Sequence, residues 1–417
     1  MPEARCEKTI KNPRLKELAA EIRFLQERRN AWQGVFNLKV APCEKERENA
    51  RSAMVEILRH KGVRVLNNGK TFFTKHLSGG CRSCLRGENY NFVPTFDCNR
   101  SCFFCYQPRF SKSSPDVKNI YHSPVLEVGE LLRRENMESF SVSGGEPLLL
   151  PGKVIRAVSE VKKRFGSACR THLYTNGVCA TASILKRLQK AGLDEIRINL
   201  TAGHYRLTAV KLAKIYIPDV IVEIPVIPEE EKEIKMIMPR LDRLGVFCLN
   251  LHELLFLGYR PEEYFRRGYF LKSSRKRPFY SELAIPVFRS EETAFGLLGF
   301  AASRNYRMSV HYCSSDAKQE VQHINKRKRC ALTARREHEK VTERGLLEKL
   351  VIYKPECCLA LKDLKRNNVP SRQIYFNRKK KRLEVHPAHI VFLDLEKYEV
   401  GRVRSLPDLR DVELRVY

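Results

Sequence analysis

Three closely spaced cysteines carry the most specific chemical signal in this 417-residue sequence. Cys98, Cys102 and Cys105 lie in the stretch DCNRSCFFCYQ with the spacing Cys-x3-Cys-x2-Cys. Three thiolates on one loop can each bind one iron of a 4Fe–4S cube, which leaves the fourth iron open to a substrate or cofactor. Zinc is the alternative, because the upstream pair Cys81 and Cys84 can complete a four-thiolate site. Either interpretation predicts a metal centre on this loop.

A second motif, SGGEP at residues 143–147, directly follows the next predicted strand. Its two glycines let the backbone approach a ligand closely, and the carboxylate of Glu146 can accept a hydrogen bond from an amino group. Taken alone, the motif also fits an ordinary strand-to-helix turn. Its position one βα unit after the cysteine segment favours a cofactor site.

Alternating strand and helix patterns between about residues 90 and 315 predict the elements that position these motifs. The strands predicted after the cysteine segment span residues 139–143, 171–175, 196–200, 220–226, 246–251 and 308–312. Strands separated by helices at this spacing indicate parallel βαβ units, and six or seven such strands fit a full or partial α/β barrel. In a barrel of this kind the reactive groups lie at the carboxyl ends of the strands, where both motifs are predicted to lie.

The two motifs together resemble those of the radical S-adenosylmethionine (SAM) superfamily, whose hallmark is CxxxCxΦC followed by GGEP after the second strand. The resemblance covers residues 90 to 315. It implies a (βα)6-type radical SAM barrel that holds a 4Fe–4S cluster and SAM. It also implies an enzyme that reductively cleaves SAM to methionine and a 5′-deoxyadenosyl radical for hydrogen abstraction. The stretches LNLHELLF (249–256) and HYCSSDAK (311–318) resemble, more loosely, a largely archaeal, uncharacterised group related to pyruvate formate-lyase activating enzymes.

The resemblance also assigns roles to residues by their position in the motifs. Cys98, Cys102 and Cys105 are expected to bind the cluster. The residues expected around SAM are Gly144, Gly145 and Glu146 at the methionine amino group, Tyr106 near the adenine, and Asn176, Asn199 and Arg197 near the ribose or carboxylate. Ordinary turn or strand structure is the alternative for the last three. The family's GxIxGxxE element on the fifth strand is replaced here by VEIPV at 222–226, so the adenine contacts depart from the family pattern.

A second group of cysteines suggests an auxiliary site. Cys81 and Cys84 lie in SGGCRSCLRGE, just upstream of the cluster segment, and Cys313 ends a predicted strand. These three are candidate ligands of an auxiliary iron–sulfur cluster or a zinc ion, either of which needs about four ligands. Capping of the barrel by the Cys pair, or radical chemistry at Cys313, are the alternatives. His252 and Glu253 follow the strand predicted at 246–251. They are candidates for substrate contact or proton transfer, or for a structural role.

The charge of the chain predicts a polyanionic partner. Lys and Arg number 77 against 48 Asp and Glu, which gives a net charge of +29. Nucleic acid is the usual partner of such a chain, and a basic solvated surface is the alternative. The densest basic runs span residues 264–280, where aromatics are interleaved, 326–329 and 378–382. We predict a basic helical N-terminal extension with a CxxC pair over residues 1–85, the barrel over 86–315, and a basic C-terminal α/β module over 316–417.

These features lead to three hypotheses about function. The first is a radical SAM enzyme that modifies RNA, with tRNA as the expected substrate. The second is a radical SAM enzyme that modifies a protein or peptide, or activates a glycyl-radical enzyme. Both predict a metal-binding oxidoreductase or transferase that receives electrons from a low-potential donor such as ferredoxin or flavodoxin. The third is a non-enzymatic protein that binds zinc and nucleic acid. We expect no membrane association and a cytoplasmic location, because the sequence has neither a long apolar segment nor a secretion signal.

Overall fold

The computed structural model describes residues 44–105, 132–133, 137–256, 260–272, 285–407 and 413–416. The chain divides into two compact units, and each is described separately below. The first unit contains the described residues up to 323, and the second contains those from 324 onward. None of the described helices is both long enough and apolar enough to cross a bilayer.

The first unit is built on a nine-stranded sheet. Its strands are β1 (Arg64–Leu66), β2 (Thr71–Phe73), β3 (Asn89–Phe92), β4 (Ser139–Val142), β5 (Arg170–Thr175), β6 (Glu195–Asn199), β7 (Asp219–Val226), β8 (Cys248–Glu253) and β11 (Ser309–Cys313). Their order is β1-β2-β11-β8-β7-β6-β5-β4-β3, and the path from β11 to β3 is parallel throughout. A separate short pair, β9 (Leu255–Phe256) and β10 (Ile285–Pro286), follows β8. The predicted α/β fold with a partial barrel is therefore confirmed.

Helices follow the strands as expected for βαβ units. The helices of this unit are α1 (Glu44–His60), α2 (Gly79–Arg86), α3 (Pro151–Phe165), α4 (Ala182–Ala191), α5 (Thr208–Tyr216), α6 (Glu231–Arg243), α7 (Pro261–Arg266) and α8 (Ser290–Arg304). Local sequence explains their ends. The hydroxyl of Thr181 caps α4 by accepting from the backbone N–H of Ile184, and Gly192 ends that helix with a left-handed φ of 89°. The sequence also predicts a helix over residues 125–135, which lie mostly outside the described residues.

Residues 44–86 fold with the strands of the barrel. β2 pairs antiparallel with β11 and so extends the main sheet beyond its parallel strands. Helix α2, which carries Cys81 and Cys84, packs against strands β3, β4 and β5. The sequence analysis assigned this segment to an N-terminal extension because a short hairpin and an eight-residue helix leave little periodic signal.

Strands β6, β7 and β8 carry buried charged and polar side chains. Glu195 and Arg197 lie on β6, Glu223 on β7 and Asn250 on β8, and all four are at most 4% exposed. A Cβ atom added to Gly80 would lie 2.7 Å from the guanidinium of Arg197 and 2.8 Å from the carboxylate of Glu195. The glycine therefore allows α2 to lie directly against this charged layer.

The second unit is a smaller sheet with two helices. Its strands are β12 (Lys340–Val341), β13 (Leu347–Tyr353), β14 (Ile374–Asn377), β15 (Arg382–Val385), β16 (Gly401–Ser405) and β17 (Glu413–Val416), and its helices are α9 (His323–Ala334) and α10 (Cys357–Arg366). The five-strand path runs β14-β15-β13-β16-β17. Apolar side chains of β13, β15 and α10 form its core. The basic α/β module over residues 316–417 stays a prediction.

Candidate functional site

Backbone hydrogen bonds tie the cysteine segment to the SGGEP segment. The cysteine segment leaves β3 and the SGGEP segment leaves β4, so both lie at the carboxyl edge of the sheet. The N–H of Gly145 donates to the carbonyl of Thr95 at 2.9 Å, and the N–H of Glu146 donates to the carbonyl of Asp97 at 2.8 Å. The two motifs therefore form one continuous surface, with Cys98 directly after the bonded carbonyl of Asp97.

The two glycines are required by this close approach. A Cβ on Gly145 would lie 2.1 Å from the carbonyl oxygen of Asp97, and one on Gly144 would lie 2.6 Å from that of Thr95. Gly144 also has a φ of 122°, which L-residues with side chains rarely adopt. The sequence analysis ascribed the glycines to the approach of a ligand. In the structure, the immediate neighbour is the backbone that precedes Cys98.

The three cysteines of the segment are half-buried and lie within electrostatic range of one another. Burial is the main cause that raises the pKa of Cys102 to about 11, and the thiols of Cys105 and Cys98 raise it further. The negative charges of neighbouring thiolates repel one another, and such repulsion raises the pKa of a thiol. A cationic iron centre stabilises the thiolates and so reverses this effect. The donor set therefore fits an iron–sulfur cluster.

The surroundings of the first cysteine bear on how a cluster would be held. Among the residues that the structure describes, no three His, Cys, Asp or Glu side chains converge to hold one metal ion. The thiolates of a 4Fe–4S cube bind different irons, so they need not converge on one point. Donors face the first sulfur: the N–H of Arg100 lies 3.4 Å and the side-chain amide of Asn176 lies 3.8 Å from Sγ of Cys98. Hydrogen bonds of this kind tune cluster potentials.

Glu146 connects the ends of β4 and β5. Its Oε1 accepts from the hydroxyl of Thr175 at 2.7 Å and from the N–H of Leu148 at 3.0 Å, and its Oε2 accepts from the N–H of Asn176 at 2.7 Å. Burial raises the pKa of this carboxyl, and the three donors oppose that effect. A carboxylate has about four acceptor positions. One position is thus left for the amino group that the sequence analysis expected.

Asn176 directly follows β5, and Asn199 is the last residue of β6. The side-chain amide of Asn176 donates to Oδ1 of Asn99 at 2.7 Å, and its own Oδ1 accepts from the N–H of Val178 at 3.0 Å. Asn199 accepts from the N–H of Ala202 at 3.1 Å. Asn176 therefore contacts the cysteine segment directly, whereas Asn199 caps a turn. Tyr106, the residue expected near adenine, lies outside the described residues.

Arg197 has partners other than the one predicted for it. Its guanidinium is 2% exposed and forms ion pairs with Glu195 at 2.6 Å and Glu223 at 2.7 Å. It also donates to the hydroxyl of Ser78 at 2.7 Å and to Sγ of Cys81 at 3.3 Å. A buried cation neutralised by two carboxylates is a structural centre of the barrel. Arg197 is therefore not a free partner for the SAM carboxylate.

The expected auxiliary metal site at Cys81, Cys84 and Cys313 is not formed as a single-ion site by these residues as the structure describes them. The thiol of Cys81 accepts from Arg197, and burial raises the pKa of Cys84 to about 12. The thiol of Cys313 accepts from the side-chain amide of Gln322 at 3.5 Å. Cys81 and Cys313 therefore have different protein partners, and the thiol of Cys84 lies within electrostatic range of both.

His252 and Glu253, at the end of β8, have different partners. Glu253 accepts from the ammonium of Lys272 and the N–H of Ser315, both at 2.8 Å, so it has a structural role. His252 hydrogen-bonds through Nε2 to Glu223. Neither motif predicts a functional role for Glu223. A charged residue inside the apolar run VIVEIPV is the signal that identifies it, because a buried charge needs a partner.

Helix α7 covers the cysteine segment. Arg260 donates to the carbonyl of Ser101 at 2.7 Å, and the guanidinium of Arg267 lies 4.5 Å from the ring centre of Phe103. The ring of Phe103 packs edge-on against Tyr264 at 5.3 Å. Phe103 and Phe104 are both buried. Aromatic side chains thus shield the segment between the second and third cysteines from water.

Comparison with known proteins identifies the class that this fold and site define. Residues 92–239 match the family profile of the radical SAM superfamily. This segment is therefore a radical SAM domain, as the two motifs predicted. Enzymes of this superfamily bind a 4Fe–4S cluster and SAM.

Three known proteins share part of their sequence with this chain. The chain is 28% identical over 286 residues to a candidate glycyl-radical enzyme activating enzyme of Methanocaldococcus jannaschii, which covers 65% of this chain and 72% of that protein. It is 38% identical over 114 residues to a candidate GTP 3′,8-cyclase of Aeropyrum pernix, covering 25% of this chain and 30% of the cyclase. It is 30% identical over 161 residues to human molybdenum cofactor biosynthesis protein 1, covering 38% of this chain and 24% of that protein.

Two proteins of known structure have lower sequence identity to this chain. The AdoMet-bound anSMEcpe is 14% identical, with a TM-score of 0.30 over 39% of this chain and 50% of that one. SuiB of Streptococcus suis bound to the precursor peptide SuiA is 12% identical, with a TM-score of 0.39 over 63% of this chain and 52% of that one. The chain thus spans about half the length of each. With TM-scores below 0.5, neither likeness indicates a substrate.

Proposed function

We propose that Cys98, Cys102 and Cys105 hold a 4Fe–4S cluster and that the chain reductively cleaves SAM beside them. The single observation that supports this is the hydrogen-bonded junction of the cysteine and SGGEP segments at one edge of the parallel sheet. When bound, the cluster would supply the electron that converts SAM to methionine and a 5′-deoxyadenosyl radical. A ferredoxin or flavodoxin is the class of donor suited to that reduction.

The protein groups around this junction have distinct tasks in the proposal. The three thiols bind iron, and the SGGEP segment presents the remaining acceptor position of Glu146 to the amino group of SAM. Asn176 fixes the first cysteine through its contacts with Asn99 and with the sulfur of Cys98. Phe103 and Phe104 exclude water from the segment, which protects a radical from quenching.

Anaerobic reconstitution followed by iron and sulfide analysis tests this proposal. We expect about four irons per chain and formation of 5′-deoxyadenosine with SAM and a low-potential reductant. Cys98→Ala should lose both properties. Cys358→Ala, an exposed thiol of the second unit, is the matched control and should retain both. Zinc without SAM cleavage in the wild-type chain would overturn the proposal and revive the hypothesis of a non-enzymatic binding protein.

For the substrate, we propose RNA, with tRNA as the expected class. The charge of +29 supports this, as does the turn between β14 and β15, where Arg378, Lys379 and Lys381 are exposed. Phe376 on β14 is 39% exposed beside them. Basic side chains bind phosphates and exposed aromatic rings stack on unpaired bases. Failure of the anaerobic holoenzyme to bind unfractionated tRNA at low salt would overturn this assignment.

A polypeptide substrate is the second candidate. The similarity to a candidate glycyl-radical enzyme activating enzyme, which extends over 72% of that protein, favours it. The two candidates differ in their product. Mass shifts in RNA nucleosides after turnover support the first, and a modified or radical-bearing polypeptide supports the second. All cysteines that the structure describes are free thiols, which agrees with the reducing cytoplasm as the proposed compartment.

A further inference from the structure

Strand β14 lies at the edge of the second unit's sheet, where β15 is the only strand that pairs with it among the described residues. Two aromatic residues, Tyr375 and Phe376, are adjacent on this strand and are 40% and 39% exposed. Because successive side chains of a strand point to opposite faces, the two rings lie on opposite sides of the edge. Rings on both sides of one strand fit a ligand whose flat groups spread to either side of its backbone, as the unpaired bases of RNA do.

The ring of Tyr375 packs on that of His338. Their centres are 5.0 Å apart and their planes differ by 14°. Because His338 is only 3% exposed, it lies on the protein side of the tyrosine ring. The guanidinium of Arg336, an exposed residue, lies 5.5 Å from the same ring centre. Aromatic rings and guanidinium planes are the groups on which proteins stack unpaired bases, so both are present here.

A buried layer of charged side chains holds His338 in place. Oε2 of Glu384 lies 3.3 Å from Nε2 of His338 and 3.0 Å from Nζ of Lys349. Oε1 of the same carboxylate accepts from Nε of Arg382 at 2.9 Å and from its Nη2 at 2.7 Å. Buried ion pairs add little net stability, but these contacts leave His338 few other positions. The ring of Tyr375 is therefore preorganised, and a preorganised group loses little conformational freedom when it binds a ligand.

Cationic groups lie at both ends of β14. One end is the turn at residues 378–381 with its exposed basic side chains. At the other end, the N–H of His386 donates to the carbonyl of Gln373, directly before the strand. Burial is the main cause that lowers the pKa of His386, and four cationic or imidazole side chains lower it further, namely His389, Lys340, Arg335 and His338. The two positive ends are roughly 17 Å apart along the strand, with Tyr375 and Phe376 between them.

We propose that an unpaired segment of RNA binds along the edge of β14, with one base stacked on Tyr375 and phosphates at the two basic ends. This site depends on the proposed RNA substrate, and it specifies a loop or an end of the RNA in place of a duplex. The bases of a duplex are already paired and stacked on one another, so they cannot spread onto the ring. Binding at this edge requires no SAM cleavage and is therefore independent of the cluster.

Photo-crosslinking of the anaerobic holoenzyme to single-stranded oligouridine that carries 4-thiouridine tests this site. Mass spectrometry of the cross-linked peptides should find the label on Tyr375. By fluorescence anisotropy, Tyr375→Ala should bind the oligouridine about 5- to 150-fold more weakly with an unchanged salt slope, and Tyr375→Phe should bind as the wild type does. The double variant Arg335→Ala, Lys340→Ala should lower the slope by about 1.4, at roughly 0.7 per phosphate of a single strand. Phe270→Ala, which removes a 37% exposed ring of the first unit, is the matched control and should keep wild-type affinity.

Three results would overturn the site. They are cross-links that all lie outside β14, wild-type affinity in Tyr375→Ala, and equally tight binding of oligouridine annealed to oligoadenine. The cross-link is measured on the wild-type chain, so the test holds even if a variant does not fold. Displacement of the oligouridine by polyglutamate at equal charge concentration would indicate an acidic polypeptide at this edge and exclude RNA there. A chain that binds tRNA but fails these tests loses only this site, whereas one that binds neither tRNA nor oligouridine at low salt loses the RNA substrate as well.

Discussion

The backbone N–H of Asn176 donates to Oε2 of Glu146 across 2.7 Å and thereby joins the turn after β5 to the segment after β4. The side chain of the same asparagine contacts the sulfur of Cys98 at 3.8 Å. Glu146 is therefore linked through a single residue to the first cysteine of the cluster segment. Because the carboxylate is buried and accepts three hydrogen bonds, we expect changes at Glu146 to affect the position of Cys98.

We expect Glu146→Gln to impair SAM cleavage and leave the iron content unchanged. The amide has one acceptor oxygen, and its NH2 group would face an N–H or hydroxyl donor that is now bonded to the carboxylate. A buried donor without an acceptor costs about 1–3 kcal/mol, so the free energy of unfolding should fall by that amount. Iron analysis, 5′-deoxyadenosine formation and chemical denaturation measure the three effects. Glu160→Gln on α3, which removes only a surface pair with Arg164, should change stability by less than about 0.5 kcal/mol. Loss of iron in Glu146→Gln would contradict this role.

Gly145→Ala should prevent normal cluster assembly. The new methyl group would lie 2.1 Å from the carbonyl oxygen of Asp97, a backbone atom that can move only with the cysteine segment. We expect a lower iron content after reconstitution. Gly152→Ala is the matched control, because nothing lies within 4 Å of its added Cβ and alanine favours the helix by up to about 1 kcal/mol. Equal iron content in the two variants would show that the segment tolerates displacement.

The elements of the first unit could be predicted from sequence because their signals are local. Helix α4 spans Ala182–Ala191, and the sequence shows both of its caps, Thr181 and Gly192. Strand bounds differ by one or two residues, as at β8, where the apolar run begins at Val246 and the paired strand begins at Cys248. The antiparallel pairing of β2 with β11 joins residues more than 230 positions apart. No local pattern predicts a contact of that kind.

Arg197→Leu should destabilise the barrel strongly. The substitution leaves Glu195 and Glu223 buried without the cation that lies between them, and breaking a buried ion pair from one side costs about 3–5 kcal/mol. Chemical denaturation of the first unit measures the loss. Arg164→Ala, which removes an exposed i,i+4 pair on α3, should cost less than about 1 kcal/mol. Similar losses in both variants would contradict the central position of Arg197.

The same network predicts a pH dependence of stability. Burial alone would raise the pKa of Glu195, but Arg197, His172 and Arg170 lower it from 4.5 to about 2. A carboxyl with a lowered pKa contributes stability above its unfolded value of 4.5, and that contribution is lost as the pH falls toward 2. The wild type should therefore exceed Glu195→Gln by about 3 kcal/mol at pH 6 and approach it near pH 2. Parallel stability profiles of the two proteins would contradict this assignment.

The site illustrates where sequence reasoning stops. Spacing alone predicts Cys98, Cys102 and Cys105 as cluster ligands, because the three candidates lie on one short segment. The partners of Arg197 could not be inferred in the same way, since Glu223 and Ser78 come from distant segments. Cys313 and His252 were each noted as candidates, but their pairing depends on the register of β8 with β11. Register is decided by packing across the whole sheet and is not readable from either strand.

The proposed RNA contact predicts a localised salt dependence. The triple variant Arg378→Ala, Lys379→Ala, Lys381→Ala removes three charges from the turn between β14 and β15. If each charge neutralises one phosphate, the slope of log K against log salt for unfractionated tRNA should fall by about 2–3, at roughly 0.7–0.9 per phosphate. Fluorescence anisotropy between low and moderate salt measures this slope.

A charge-matched control separates this contact from general attraction. Lys186, Arg187 and Lys190 are exposed on α4 of the first unit, and their triple alanine variant removes the same net charge from the chain. We expect it to retain the wild-type slope, because charges outside the contact release no counterions from the RNA. Equal losses in both triple variants would mean that tRNA is attracted by overall charge, and the turn would then have no special role. Phe376→Ala should weaken binding by about 1–3 kcal/mol without changing the slope, since base stacking involves no phosphate.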